Sequence, residues 1–205
     1  MAAELIVGAM NFGQRTSEAE SLRILERAIA AGIRSLDTAN VYTDGKSETI
    51  VGKFLARVGT TCHVATKVGL ARPKGRVEGL SRATVLDACA RSRERLGIER
   101  IDLYYLHAPD PSTPIEETLE ALAILKQQAA IDAWGVSNFS SWQILEMIHR
   151  APQFDLSPPY ASQVIYNLLV RQIDIEHLAF AQRYGLNVIT YNPLAGVAGR
   201  WPHAE

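Results

Sequence analysis

The sequence predicts a parallel α/β fold, and three observations carry that expectation. Strand-like runs and helical segments alternate along the chain, with one of each roughly every 30 residues. Several of the strand runs are almost continuously apolar, as expected of strands covered on both faces. The helical segments carry start and stop signals at their ends. This pattern fits an open doubly wound sheet or a (β/α)8 barrel. The first strand run is followed by "NFGQ" rather than a GxGxxG turn, so the fingerprint of the open dinucleotide-binding sheet is absent.

Taken in order, the strand runs are 5–10 (LIVGAM), 34–37 (RSLD), 63–68 (HVATKV), 101–107 (IDLYYLH), 133–137 (AWGVS), 162–166 (SQVIY) and 187–191 (NVITY). Six helices fall between them. The first has a capping box from Ser17 to Glu20, then Leu22, Leu25 and Ile29 at helical spacing and Gly32 as its stop. The second, 46–59, places Ile50, Val51, Phe54 and Leu55 on one side. The third runs from Ser81 to Gly97. The fourth is predicted to start with Thr113 as N-cap, Pro114 at the first helical position and Glu116 closing a box. The fifth ends at Pro152, and the sixth, beginning near Asp174, ends at Gly185.

The 205 residues are 47% hydrophobic and 21% charged, which suits a single globular domain over 1–205. A net charge of -1 gives no electrostatic case for nucleic acid or an anionic membrane. The basic cluster at 71–76 (ARPKGR) reads as a solvated loop. Cys62 and Cys89 form neither a CxxC nor a Cys/His ligand set, and two thiols suit a reducing compartment. The N-terminus lacks the pattern of a signal peptide, and no run reaches the roughly 18 apolar residues of a membrane span. A cytoplasmic location is the expectation.

Parallel α/β folds place ligands at the carboxyl ends of their strands. Three successive strand runs here end in Asp37, Lys67 and His107, and Tyr42 follows the first of them. Neighbouring strands lie about 4.8 Å apart, so Lys67 on the middle strand can reach both of the other tips. A free tyrosine, with pKa about 10, is a poor acid near neutrality. An ammonium about 4 Å away favours the phenolate by up to about 4 kcal/mol, enough to lower that pKa by as much as roughly three units. Asp37 would hold Lys67 charged and in place, and His107 would hydrogen-bond the substrate oxygen. Such a set suits proton delivery to an oxygen becoming an alkoxide. With one His, one Asp and a Lys it lacks the ligands of a hydrolytic metal centre, so no metal is expected. A lysine kept protonated by an acid is also a poor Schiff-base nucleophile.

Several stretches together resemble the aldo-keto reductases: LDTANVYTDGKSETIVGKFL, VATKVG, DLYYLHAPD, WGVSNFS, QVIYN and YNPLAG, in that family's order and spacing. YLHAPDPSTPIEETL is most similar to the aflatoxin-aldehyde reductase branch. The resemblance spans residues 5–196 and implies a (β/α)8 TIM-type barrel and NADPH-dependent reduction of aldehydes and ketones. It puts Tyr42 at the family's proton donor, Lys67 and Asp37 at its tuning pair, and His107 at the residue orienting the substrate carbonyl. Ser137, Asn138 and Gln163 match the side chains holding the nicotinamide carboxamide, and Tyr191 the aromatic stacked on the nicotinamide ring. Asn192 and Leu194 fall in the segment at 192–196 (NPLAG) that contacts the pyrophosphate, and Met10 matches a cofactor contact at the end of the first strand. The implied partner is a small-molecule aldehyde or ketone, with homo-oligomerisation left open.

One departure from the family is large. Beyond 192–196 the family continues through a seventh helix, an eighth strand and a basic loop that grips the adenosine 2'-phosphate, whereas this chain reads VAGRWPHAE and stops. The resulting expectation is an incomplete barrel of seven strands and six helices lacking its last βα unit. Weak NADPH binding with little preference over NADH and an open, self-associating seam follow from it. Arg200 and His203 read as a solvated tail rather than a replacement phosphate site. Two alternative functions accompany the reductase: a catalytically silent form, and a cofactor-sensing regulatory subunit like the channel β subunits of the same family.

Overall fold

The computed structural model describes residues 4–59, 62–72 and 75–196. Seven strands, β1 (Ile6–Gly8), β2 (Ser35–Asp37), β3 (His63–Val68), β4 (Ile101–Leu106), β5 (Ile131–Ser137), β6 (Ala161–Ile165) and β7 (Asn187–Tyr191), form one sheet. Each pairs in parallel with its neighbours in sequence, in the order β1-β2-β3-β4-β5-β6-β7. Six helices connect them: α1 (Glu18–Ala30), α2 (Lys46–Val58), α3 (Arg82–Leu96), α4 (Ile115–Gln127), α5 (Ser141–Arg150) and α6 (His177–Tyr184). The arrangement is a nearly closed barrel with an outer layer of helices, in which β1 and β7 are the edges among the described residues. Of the two fold classes the alternation allows, the barrel is the one formed.

Period-two alternation sorts the strand residues into two sets. On β4, Tyr104 turns outward and donates from its hydroxyl to the Val85 carbonyl of α3 at 3.3 Å, so Tyr105 turns inward. Their register partners on β3 are Thr66 and Lys67. Thr66 accordingly faces out, donating to Glu48 of α2 at 2.6 Å, and Lys67 faces in. The outward sets make two apolar cores. Leu36 and Val64 pack with Leu22, Leu25, Val51 and Phe54 of α1 and α2. Tyr104, Trp134 and Val136 pack with α3, α4 and α5 through Val85, Leu119, Leu122, Ile144 and Met147. Gly52 brings α2 against the end of α3: a Cβ there would lie 2.4 Å from the Arg95 carbonyl oxygen.

The caps follow the sequence at most ends. Ser17 accepts from the Glu20 N–H, although the Glu20 carboxylate turns to Arg23 instead of closing a box. Ser140 forms a full capping box with Gln143, and α3 runs from an N-cap at Ser81 to a left-handed Gly97. At α4 the expectation fails. Its N-cap is Pro114 and carries no side-chain hydrogen bond, because the Thr113 hydroxyl donates to Asp110 at 2.7 Å instead. A tertiary carboxylate outcompetes the local cap. The sixth helix is also shorter than predicted, since Gln172–Asp174 form a separate 3₁₀ turn before it.

Candidate active site

Asp37 ends β2, Lys67 lies next to last on β3, and His107 follows β4 directly. Inward alternation aims the first two across the barrel mouth. Lys67 is fully buried, and its ammonium has three polar neighbours. It pairs with Asp37, donates to the Thr38 carbonyl at 2.8 Å, and lies 3.4 Å from the Tyr42 hydroxyl oxygen. The Tyr42 and His107 rings meet edge to face, with centroids 5.8 Å apart. The four tip residues are thus one cluster.

Tyr42 is delivered by a constrained turn. It begins a 3₁₀ segment, Tyr42–Gly45, in which Thr43 (φ 50°), Asp44 (φ 53°) and Gly45 (φ 84°) are successively left-handed. Gly45 adopts this freely, but a β-branched threonine there is an outlier that its surroundings must hold. The Thr43 hydroxyl donates to the Phe12 carbonyl at 2.7 Å, which fastens the turn to the β1–α1 loop. Behind it, Ser47 bonds both Thr38 and the Ala9 carbonyl at 2.8 Å, fixing the segment whose carbonyl receives Lys67.

Burial raises the Tyr42 phenol above its ordinary value. The Lys67 ammonium pulls it down and the Asp37 carboxylate pushes it up, leaving a net rise. The lowering expected from Lys67 alone is therefore outweighed by desolvation, and Tyr42 keeps its proton at neutral pH. His107, only 8% exposed, is held down to about 3 by burial first and by Lys67 second, so it is neutral. Its Nδ1 is buried with no hydrogen-bond partner among the described residues.

A testable consequence follows for His107. With an unfolded value near 6.5 and a folded value of about 3, its contribution to stability is complete above about pH 6.5. It is lost progressively as pH falls from there toward 3, because the unfolded chain takes up the proton first. Imidazole ¹⁵N resonances of His107 are expected to stay those of a neutral ring between about pH 5 and 8. A midpoint near 6.5 would show that the ring is solvated.

The residues matched to a nicotinamide pocket adjoin this cluster. Gln163 on β6 donates from Nε2 to Asp37 Oδ2 at 2.8 Å, across 126 positions of sequence. Asn138, just past β5 in a left-handed conformation (φ 63°), donates to the His107 carbonyl at 3.0 Å and to Ser137 Oγ at 3.1 Å. The Tyr191 hydroxyl donates to Asn138 Oδ1 at 2.9 Å. Met10 is 58% exposed in the turn after β1 and Leu194 is 68% exposed, and neither is drawn into this hydrogen-bonded set. Asn192, also left-handed, accepts from Gly196 N and from Asn167 Nδ2. Arg200 and His203 lie outside the described residues.

Sequence reading missed the carboxylates that shape the mouth. Glu78 Oε1 accepts from Asn40 Nδ2 and Gly69 N, both at 2.7 Å, and from Ala71 N at 3.2 Å. Asp110 accepts from Leu80 N, Ser112 and Thr113. Partial desolvation pushes its carboxyl up, but those hydrogen bonds prevail and bring it down to about 2. Together they lash the β3–α3 loop to its neighbours. The available signal was an Asp two residues before a Ser-Thr pair, an Asx-turn pattern. Two clefts, of about 290 and 370 Å³, lie elsewhere, one beside Gly13 and Lys46 and one beside Trp142, and none of the tip residues lines either.

A sequence profile described as "Aldo/keto reductase family" matches residues 4–200. The chain belongs to the aldo/keto reductase family. Among similar proteins, mouse (Mus musculus) aflatoxin B1 aldehyde reductase member 2 is 35% identical over 205 residues, covering 98% of this chain and 55% of that protein. Human (Homo sapiens) aflatoxin B1 aldehyde reductase member 4 is 34% identical, covering 98% of this chain and 61% of that one. An Arabidopsis thaliana protein named "Probable voltage-gated potassium channel subunit beta" is 32% identical over 91% of this chain and 58% of its own. A solved aldo-keto reductase from Bacillus halodurans, in its holo form, superposes with a TM-score of 0.84 at 34% identity, covering 98% of this chain and 66% of that one. The chain thus spans little more than half the length of the curated relatives it matches. Among the described residues, no helix is long and apolar enough to cross a membrane.

Proposed function

We propose that this chain carries the catalytic half-site of an NAD(P)H-dependent reductase of small aldehydes and ketones, with NADPH as the cofactor and Tyr42 as the proton donor. The observation that carries the reading is the buried Lys67 ammonium, which is shared by Asp37, the Thr38 carbonyl and the Tyr42 phenol. A fully buried charge is costly unless it is paired, and this one is paired on the side of the phenol it can act upon.

In this reading the substrate oxygen sits between the Tyr42 hydroxyl and the His107 ring. Neutral His107 donates from Nε2–H, polarising the carbonyl and fixing its direction without adding a charge. Tyr42 holds its proton until negative charge grows on that oxygen, then passes it over. Lys67 stabilises the phenolate left behind, and Asp37 with Thr38 keeps the ammonium from drifting. The donor set beside it suits a carboxamide-bearing ring: Ser137 offers a hydroxyl, Asn138 and Gln163 offer amides, and Tyr191 offers a flat face. Ser137, Asn138, Gln163 and Tyr191 would hold the nicotinamide, with Met10, Asn192 and Leu194 as outer contacts. When bound, the nicotinamide supplies the hydride.

The test is direct. Purified chain is mixed with NADPH and an aromatic aldehyde, and the loss of reduced-nicotinamide absorbance is followed beside a Tyr42→Phe control. Turnover that disappears with the phenol supports the assignment. Equal rates in both proteins would remove Tyr42 from the mechanism.

A further inference from the structure

The mechanism as described leaves one large inward-facing group unused. Tyr105 is the register partner of Lys67 on β3 and of Gly135 on β5, so the three occupy one inward layer of the barrel. Tyr105 is fully buried, and its ring centroid lies 5.8 Å from the Lys67 Nζ, beside the 5.0 Å approach of the Tyr42 ring to the same ammonium. Its hydroxyl lies beside the Gln163 side chain and has no other partner among the described residues. Room for the ring is provided by Gly135, where a Cβ would stand 2.8 Å from Tyr105 Cε1 and 2.8 Å from the Ala161 carbonyl oxygen.

We propose that Tyr105 is a positioning residue for the proposed reduction: its ring is the floor of the Lys67 ammonium and holds that charge against the Tyr42 phenol. Two facts make this more than packing. The ammonium is removed from water, where attraction between a cation and a ring face is strongest. It is the ring of Tyr105, not its hydroxyl, that the ammonium lies over, so the part in use is the part phenylalanine shares. Gly135 and Tyr105 then act as a pair, since any side chain at 135 would push the ring off Lys67.

The contact can be tested in cofactor-free protein, independently of turnover; the catalytic consequence rests on the reading of Tyr42 as the acid. In ¹H–¹⁵N spectra selective for lysine ammonium groups, assigned with Lys67→Met, the Lys67 protons are expected upfield because they lie over ring faces. Tyr105→Leu moves them downfield or broadens them away, and Tyr105→Phe restores them, with backbone amide spectra confirming that both variants fold. In the reductase assay Tyr105→Leu lowers kcat about tenfold with KM within about twofold, and Tyr105→Phe recovers it. An ammonium signal indifferent to Tyr105→Leu overturns the proposal, as does loss in Tyr105→Phe equal to that in Tyr105→Leu. If the wild-type chain shows no reduction at all, the reductase reading fails, while the ammonium spectra still decide whether Tyr105 holds Lys67.

Discussion

Tyr42→Phe is expected to cut carbonyl reduction by about 10²–10⁴-fold and to leave cofactor binding within about twofold. The change removes one oxygen at a site whose ring remains packed edge to face on His107. In the proposed mechanism the lost hydroxyl is the acid, so the deficit belongs in kcat rather than in KM. It also relieves Lys67 of its third neighbour while leaving Asp37 and the Thr38 carbonyl in place, so folding should be little affected. Stopped-flow turnover beside fluorescence titration of the cofactor separates the two quantities. A parallel loss of cofactor affinity would mean that Tyr42 shapes the pocket rather than supplying the proton.

The largest stability effect is expected at Lys67. Its side chain is 0% exposed and that of Asp37 only 13%, so Lys67→Met leaves a largely buried carboxylate with Gln163 as its remaining side-chain donor. Removing one partner of a buried pair costs about 3–5 kcal/mol, whereas removing both charges together can be nearly neutral. Lys67→Met should therefore unfold at markedly lower urea, and Asp37→Asn/Lys67→Met should regain most of the loss. Both variants would be inactive, so the readout is denaturation alone. If the double variant is as unstable as the single one, packing of the lysine stem rather than charge pairing stabilises the site.

Much of this site was readable because parallel strands expose their C-terminal residues by geometry. Asp37, Lys67 and His107 could be placed at three neighbouring tips from the apolar runs that precede them. The sign of the Tyr42 shift was not readable, since it depends on how deeply the phenol is buried, and sequence spacing gives charge neighbours without desolvation. Nor was the left-handed Thr43 legible, because propensity argues against a β-branched residue there and the bond that fastens it, to the Phe12 carbonyl, comes from 31 residues away. Thr113 misled for a similar reason. Its local pattern is that of an N-cap, yet Asp110 competes for the same hydroxyl. Tyr105 stands in an apolar run where inward and outward positions look alike. The outward bond of Tyr104 to Val85 is what shows that its neighbour enters the barrel.

The link from Gln163 to Asp37 bears on the order in which the molecule assembles. Every strand pairs with its neighbour in sequence, so the sheet can grow one unit at a time through short-range contacts, each with a modest loop-closure cost. The Gln163–Asp37 bond joins residues 126 positions apart and can form only once the sheet has curled far enough to bring β6 back across from β2. The junction between the Asp37–Lys67 pair and the proposed nicotinamide pocket is therefore a late product of folding. A chain caught part-way, with β3, β4 and β5 already paired, would have α3 and α4 in place and an unfinished pocket. In a refolding experiment, recovery of turnover is expected to lag recovery of helical circular dichroism.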